Sequence, residues 1–288
     1  MKIAVTGASG FVGRHVLAEL ARRDLSATVL LRPTSAVPEW VQRHRVVRLD
    51  IADVDSNAFE LAGRPDVLIH LAWGGLPNYK SLHHFEQELP VQYRFLKAMV
   101  SAGLRHLVVS GTCFEYGMQS GPLSEDMPAV PSNPYGLAKD TLRRQLQYLQ
   151  SEQPFALTWA RLFYLHGECQ APNSLLPLLQ RAVERGDTTF PMSGGEQLRD
   201  YLSAAEVAQH LVTLALARSD CGVVNLCSGK PISVRALVEG WIAQNRWSIT
   251  PAMGHYPYPD HEPMAFWGDR RKLERCLSPF SPTPTGER

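Results

Sequence analysis

The sequence predicts an α/β fold, a doubly wound parallel sheet with helices on both faces, extended by a smaller C-terminal α/β lobe. Three observations predict it. Short aliphatic runs alternate with longer stretches of helical period, the first such run leads at once into a glycine-rich turn and an amphipathic helix, and the alternation lapses after residue 163. Strand and helix in alternation imply right-handed crossovers and therefore parallel strands.

The strand-like runs are Ile3–Val5, Ala27–Leu31, Val46–Leu49, Val67–Leu71, Leu107–Ser110 and Leu157–Phe163. Helical patterns fill 11–23, 88–102 and 135–151. In the first of them Val12, Val16, Leu17 and Leu20 share one stripe, the spacing that lets a helix bury a single face. Residues 199–227 return to strand, helix and strand, and with 1–163 they make up the expected large domain. Residues 164–198 and 228–277, richer in loops, prolines and aromatics, make up the expected substrate lobe over the carboxyl ends of the strands. The Pro/Ser/Thr tail Ser278–Arg288 is expected to fray.

Composition narrows the function. With 288 residues, 44% hydrophobic and 20% charged, the chain has core enough for one large domain and a lobe. A net charge of +1 gives no case for a nucleic-acid or acidic-membrane surface. No apolar run approaches the roughly 20 residues that span a bilayer, and the N-terminus lacks the long apolar core of a secretory signal. The five cysteines, Cys113, Cys169, Cys221, Cys227 and Cys276, are odd in number and form no CxxC, so neither a disulfide framework nor a zinc site is expected. His83 and His84 have no third ligand at metal spacing and read as a surface loop; no metal is expected. A reducing cytoplasm is the expected compartment.

Two motifs carry chemistry. Thr6-Gly7-Ala8-Ser9-Gly10-Phe11-Val12-Gly13 joins the first strand to the first helix. Glycines there permit a tight turn and close backbone approach to a pyrophosphate, and the helix N-terminus faces the negative charge. Tyr135 and Lys139 stand one helical turn apart, so phenol and ammonium share a face. The ammonium is expected to pull the tyrosine pKa down toward the working pH, against the rise that burial would cause. Tyr135 is then a proton donor and acceptor at a carbonyl or alcohol, and together the motifs suggest hydride chemistry.

By these motifs the chain resembles the extended short-chain dehydrogenase/reductase superfamily, the NAD-dependent epimerase/dehydratase family that holds nucleotide-sugar epimerases, dehydratases and reductases. The likeness runs to about residue 277 and implies a Rossmann domain. It implies cofactor contacts from Gly7, Ser9, Gly10, Phe11, Val12 and Gly13, from the Asp50-Ile51 pair at the adenine, from Leu71 and Ala72 after the fourth strand, and from Lys139 at the nicotinamide ribose. It places Thr112, in Ser110-Gly111-Thr112-Cys113-Phe114-Glu115-Tyr116-Gly117, as the catalytic hydroxyl beside Tyr135 and Lys139. Gln197-Leu198-Arg199-Asp200-Tyr201 is similar to the element whose arginine holds the substrate diphosphate, and Asn225 to Gly229 is similar to a later strand of the family. The substrate residues so implied are Thr112, Cys113, Tyr135, Tyr164 and Arg199, and the implied substrate is a nucleotide-diphosphate sugar. Many relatives are homodimers through helices corresponding to 88–102 and 135–151, and the same is expected here.

Within the family the residues separate the reactions. Dehydratases carry Asp-Glu directly after the catalytic threonine, where this chain has Cys113 and Phe114; phenylalanine carries no proton. Glu115, one place on, reads as a partner for a backbone amide. At the end of the second strand stands Arg32-Pro33-Thr34-Ser35 with no carboxylate before Glu39, which favours the 2′-phosphate of NADP, with NAD as the alternative. The expected activity is an NADP-dependent reduction of a nucleotide-linked 4-keto-6-deoxy sugar. The alternatives are an NAD-dependent nucleotide-sugar 4-epimerase and a non-catalytic dinucleotide sensor, the latter disfavoured because Thr112, Tyr135 and Lys139 are all retained. Two departures stand out: Tyr164 replaces a frequent asparagine, and Tyr258-Pro259-Asp260-His261-Glu262-Pro263 replaces a second arginine. His166, Tyr256, Tyr258, Phe266 and Trp267 are candidates to line the pocket, and His70 is expected to pack at a strand end near the cofactor.

Overall fold

The first strand, β1 (Ile3–Thr6), is buried at every position. Parallel strands flank it on both sides, β2 (Ala27–Leu31) and, further along the chain, β4 (Val67–His70), while β3 (Arg45–Arg48) pairs beyond β2. The other half of the sheet is β5 (His106–Thr112), β7 (Ala156–Leu162) and β11 (Gly222–Leu226), giving seven strands in the order β11-β7-β5-β4-β1-β2-β3. The computed structural model describes residues 1–53, 57–259 and 262–280. The remaining short strands are β6 (Gly121–Leu123), β8 (Tyr164–His166), β9 (Thr189–Pro191), β10 (Leu198–Ser203), β12 (Pro231–Ser233), β13 (Thr250–Ala252) and β14 (Phe266–Gly268).

Successive strand residues point to opposite faces, so each strand feeds two cores. Ile3, Val5, Val67 and Ile69 join one core with Val16, Leu17 and Leu20 of α1 (Phe11–Arg22) and Val207, Leu211 and Val212 of α6 (Ala204–Ala217). Ala4 and Leu68 join the other with Phe95, Leu96 and Met99 of α3 (Leu89–Ser101) and Leu142, Leu146 and Leu149 of α4 (Pro134–Glu152). Between them α2 (Ala58–Leu61) caps the second core through Phe59. Each such side chain, taken fully out of water, contributes about 1.5–3 kcal/mol, which is why this layering follows from the sequence pattern. No helix among the described residues is long and apolar enough to cross a membrane.

The small lobe has its own core, in which Leu179 of α5 (Leu175–Glu184), Phe190, Met192 and Trp241 of α7 (Val234–Asn245) meet. Its main sheet is β12-β10-β8, with Tyr201 opposite Tyr164. The strand that opens the 199–227 stretch therefore pairs in the small sheet, and only α6 and β11 rejoin the large one. Asp200 explains the placement. Fully buried, it accepts the backbone N–H groups of Ser228 (2.6 Å), Gly229 (2.9 Å) and Gly268 (3.2 Å), which ties β10 to two later turns of the chain. The chain closes with α8 (Arg271–Leu277) and a 3-10 turn at Ser278–Phe280; the rest of the tail expected to fray, 281–288, lies outside the described residues.

Candidate active site

The glycine turn is fixed by space as well as by torsion. Gly7 has φ +69°, and a Cβ there would stand 2.6 Å from the Leu71 carbonyl carbon and 2.7 Å from the Ala72 nitrogen. At Gly13 a Cβ would lie 2.2 Å from the Gly7 oxygen, so α1 starts tight against the turn. Gly10 is the N-cap and supplies no side-chain acceptor, which leaves the first N–H groups of α1 for a ligand. An uncapped helix N-terminus behind a turn that tolerates no side chain fits a dinucleotide pyrophosphate. Phe11, Val12 and Leu71 line the adjoining cavity, and Ser9 is exposed at the turn.

Beneath the turn lies a chain of ordered hydrogen bonds. The Thr6 hydroxyl accepts the N–H groups of Leu71 (3.2 Å) and Ala72 (3.4 Å) and donates to His70 Nδ1 at 2.9 Å. His70 Nε2 then donates to Gln92 Oε1 (2.7 Å), and Gln92 Nε2 to Glu88 Oε2 (2.8 Å). Burial lowers the His70 pKa to about 3, so the ring is neutral and the direction of each bond is set. His70 thus sits at the strand end as expected, holding Leu71 and Ala72 beside Gly7.

Asp50, expected at the adenine, receives the Ala52 N–H at 2.9 Å, and Ile51 is half-buried. Arg32 is exposed at the end of β2. Its carbonyl accepts Arg48 Nη1 at 3.0 Å, and the Ser35 carbonyl accepts the same group. Arg48, which sequence reasoning missed, pins the Arg32–Ser35 turn; the available signal was an arginine closing the strand next to β2.

Thr112 ends β5, two residues beyond the expected end of that strand, and Tyr135 opens α4 after Asn133, whose side chain accepts the Gly136 N–H at 2.8 Å. Tyr135 is 7% exposed, and burial pushes its pKa above 10, with Tyr79 and Glu115 adding to the rise and a hydrogen bond to Thr112 opposing it. The expected lowering by Lys139 does not prevail. Lys139 is itself 1% exposed, and burial brings it down to about 7, so it brings too little charge to outweigh the desolvation of the phenol. Its Nζ donates to the Ser110 carbonyl at 2.8 Å and lies 4.0 Å from the centre of the Trp73 ring.

Glu115 behaves as expected, and more. It is fully buried; Oε1 accepts the Thr112 N–H and the Trp159 indole N–H, both at 2.9 Å, and Oε2 accepts Arg161 Nε at 2.7 Å. It is a structural post, not an acid or base in the cleft. Cys113 and Phe114 line the cavity, the Cys113 thiol pushed up by burial.

That cavity, about 530 Å³, runs from Phe11 to Trp241 between the sheet edge and the lobe. Tyr164 lines it as expected. Arg199 does not: it is 3% exposed, stacked 4.7 Å over Phe266, and its Nε and Nη2 donate to Glu262 Oε2 at 3.3 and 2.9 Å. Tyr256 and Tyr258 are exposed away from the cavity, and Asp260 and His261 lie outside the described residues. Sequence reasoning also missed the loop after β4. Trp73 donates its indole N–H to His84 Nδ1 (3.1 Å), His84 Nε2 donates to the Asn78 carbonyl (2.8 Å), and Tyr79 lies 5.5 Å from the Tyr135 ring. His84, expected on a surface loop, is fully buried, 5.2 Å from the Tyr135 ring, with the rings of Trp73 and His83 also against it. No cluster of three or more metal-ligating side chains occurs among the described residues.

The model of the NAD dependent epimerase/dehydratase family matches residues 3–227. The chain belongs to this family. It is an oxidoreductase of the extended short-chain dehydrogenase/reductase type. It is 30% identical over 270 residues to dTDP-6-deoxy-L-talose 4-dehydrogenase (NAD(+)) of Aggregatibacter actinomycetemcomitans, covering 93% of this chain and 99% of that protein. To UDP-glucose 4-epimerase of Corynebacterium glutamicum it is 29% identical over 261 residues, 83% of this chain and 79% of that one. Among solved structures, MoeE5 in complex with UDP-glucuronic acid and NAD superposes with a TM-score of 0.80 at 26% identity, over 96% of this chain and 93% of that one. UDP-N-acetylglucosamine 4-epimerase from Methanobrevibacter ruminantium M1 superposes with a TM-score of 0.85 at 21% identity, over 99% and 93%, a likeness of fold.

Proposed function

We propose that the protein reduces the 4-keto group of a nucleotide-linked 6-deoxy sugar, drawing on NADP in preference to NAD. The observation that carries the reading is that Tyr135 meets Thr112 in a cleft where the two positions after the threonine, Cys113 and Phe114, offer no carboxylic acid. Tyr135 is buried and protonated beside Thr112, while Phe114 carries no proton and Glu115 is engaged by the Thr112 N–H, Trp159 and Arg161. One hydride and one proton convert a ketone to an alcohol and do nothing further.

When bound, the nicotinamide supplies the hydride. Tyr135 gives its proton to the carbonyl oxygen as that oxygen gains charge, and the Thr112 hydroxyl holds the oxygen in line. Lys139, anchored at the Ser110 carbonyl, would hold the cofactor ribose and return a proton to Tyr135. Leu76, Pro77, Tyr79 and Phe114 form an apolar wall suited to a sugar methyl group rather than a hydroxymethyl. The 4-dehydrogenase relative is named for the same ketone–alcohol exchange read in the oxidative direction. Exposed Arg32, followed in the sequence by no carboxylate before Glu39, supports NADP.

The epimerase relatives support a second reading, oxidation and re-reduction of one carbon with NAD retained. Stoichiometry separates the two. A panel of 4-keto-6-deoxy sugar nucleotides, followed by NADPH absorbance and product analysis, should show one NADPH oxidised per alcohol formed. NAD carried through purification, with turnover of a saturated UDP-hexose and no net nicotinamide change, would establish the epimerase instead.

A further inference from the structure

We propose that Glu262 is an internal stand-in for the substrate's diphosphate, and that a nucleotide sugar binds by displacing this carboxylate from Arg199. The inference rests on the nucleotide-sugar reading above and concerns how the same cleft admits an anion.

A diphosphate carries at least two negative charges, and taking them out of water without a partner is prohibitive. Among the described residues that line the cavity, Lys139 is the only lysine or arginine, and its Nζ is held at the Ser110 carbonyl beneath Trp73, deep beside Tyr135. Arg199 is a second cation close to the cavity. It lies directly behind the wall, 5.8 Å from the Tyr164 ring, and Cys113 and Tyr164, both lining residues, feel the charges of Arg199 and Glu262 together.

The guanidinium is held by three things that do not involve Glu262. Nη1 donates to the carbonyls of Leu198 (2.9 Å) and Met264 (3.3 Å), and the plane rests on Phe266. The opposite edge, Nε and Nη2, converges on the single oxygen Oε2 of Glu262. Two parallel N–H groups on one edge are the arrangement that receives a phosphate oxygen pair as readily as a carboxylate. Glu262 also differs from Arg199 in its mounting. The arginine is on a strand paired on both sides, whereas the glutamate is on the connection between β13 and β14, with its side chain 14% exposed. Exchange of anions at a fixed fork keeps Arg199 neutralised, which avoids leaving an uncompensated buried charge. It also selects: a ligand without a diphosphate has nothing to offer in return for the carboxylate.

The test compares the intact parent with Glu262→Gln and Glu262→Ala. Titration calorimetry with dTDP and with UDP should show both variants binding about tenfold tighter or more, since the competing charge-assisted pair is gone. NADPH affinity should not change. The variants should also melt lower than the parent without ligand and gain more in melting temperature from added dTDP. Should the alanine variant fail to fold, Glu262→Gln keeps an oxygen at Arg199 and carries the comparison. If the parent binds dTDP or UDP and the variants bind equally or more weakly, the displacement idea is wrong while the nucleotide-sugar reading stands. If neither parent nor variants bind either nucleotide, that reading falls and takes the displacement with it.

Discussion

Lys139 lies under the face of Trp73, its Nζ 4.0 Å from the ring centre, and stands 5.9 Å from the centre of the Tyr135 ring. The lysine is therefore held by an aromatic face and the Ser110 carbonyl, and Tyr135 answers chiefly to its own burial. The chemistry of the pair follows from this arrangement.

Because burial brings Lys139 from 10.5 to about 7, the folded protein binds fewer protons than the unfolded chain between those values. Stability from this group accordingly rises as pH climbs from 7 to 10.5 and is lowest below 7. At about 1.4 kcal/mol per pKa unit, the full effect is several kcal/mol. Lys139→Met should remove the slope: in urea melts the variant should gain on the parent toward pH 6, and the gap should close toward pH 10. A gap independent of pH would show that the lysine is charged in the fold.

Tyr135 is pushed above 10, so it is protonated throughout the neutral range, the form a reduction uses. Tyr135→Phe should lower kcat about 10²–10⁴-fold with cofactor affinity intact. In the parent, the reductive kcat/KM should show no loss from deprotonation of this tyrosine until pH exceeds 10.

Arg32→Asp should weaken NADPH binding by more than about tenfold and leave NADH nearly untouched, because a charged hydrogen bond is replaced by repulsion. Arg48→Leu, which frees the Arg32–Ser35 turn, should shift the ratio of the two affinities in the same direction by a smaller factor. Equal affinities in the parent would remove the case for NADP.

Glu115→Ala strands the Arg161 guanidinium, which is 2% exposed, together with two N–H donors. The expected loss is about 3–5 kcal/mol of stability by denaturant melts. The fraction that remains folded should still turn over. A variant of normal stability that was inactive would instead make Glu115 part of the chemistry.

The layered sheet was legible because periodicity reports burial directly: Val16, Leu17 and Leu20 mark a helix face, and Ile3, Ala4 and Val5 mark a strand buried on both sides. The glycine turn and the Tyr135–Lys139 pair were legible because their spacing is local. What sequence did not reveal depends on contacts between distant segments. His84 gives no local sign that Tyr135, from a later helix, will pack against its ring, and Arg199 gives none that Glu262, 63 residues away, will claim its charge. The direction of the Tyr135 shift was hidden for the same reason, since it depends on how much surrounding chain closes over the ring.

Asp200 gathers N–H groups from residues 228, 229 and 268 onto one carboxylate, and β14 pairs with β6 at Gly121. The cleft therefore cannot assume its final shape while the chain is still emerging from a ribosome at residue 220, although all of Thr112, Tyr135 and Lys139 have by then been made. Nascent protein should hold the dinucleotide turn early and close the Trp241 end of the cleft only near the end of synthesis. A chain cut short before β14 would thus expose the apolar faces of Phe163 and Cys227, which Phe266 and Gly268 otherwise cover, and present itself to quality control rather than to substrate.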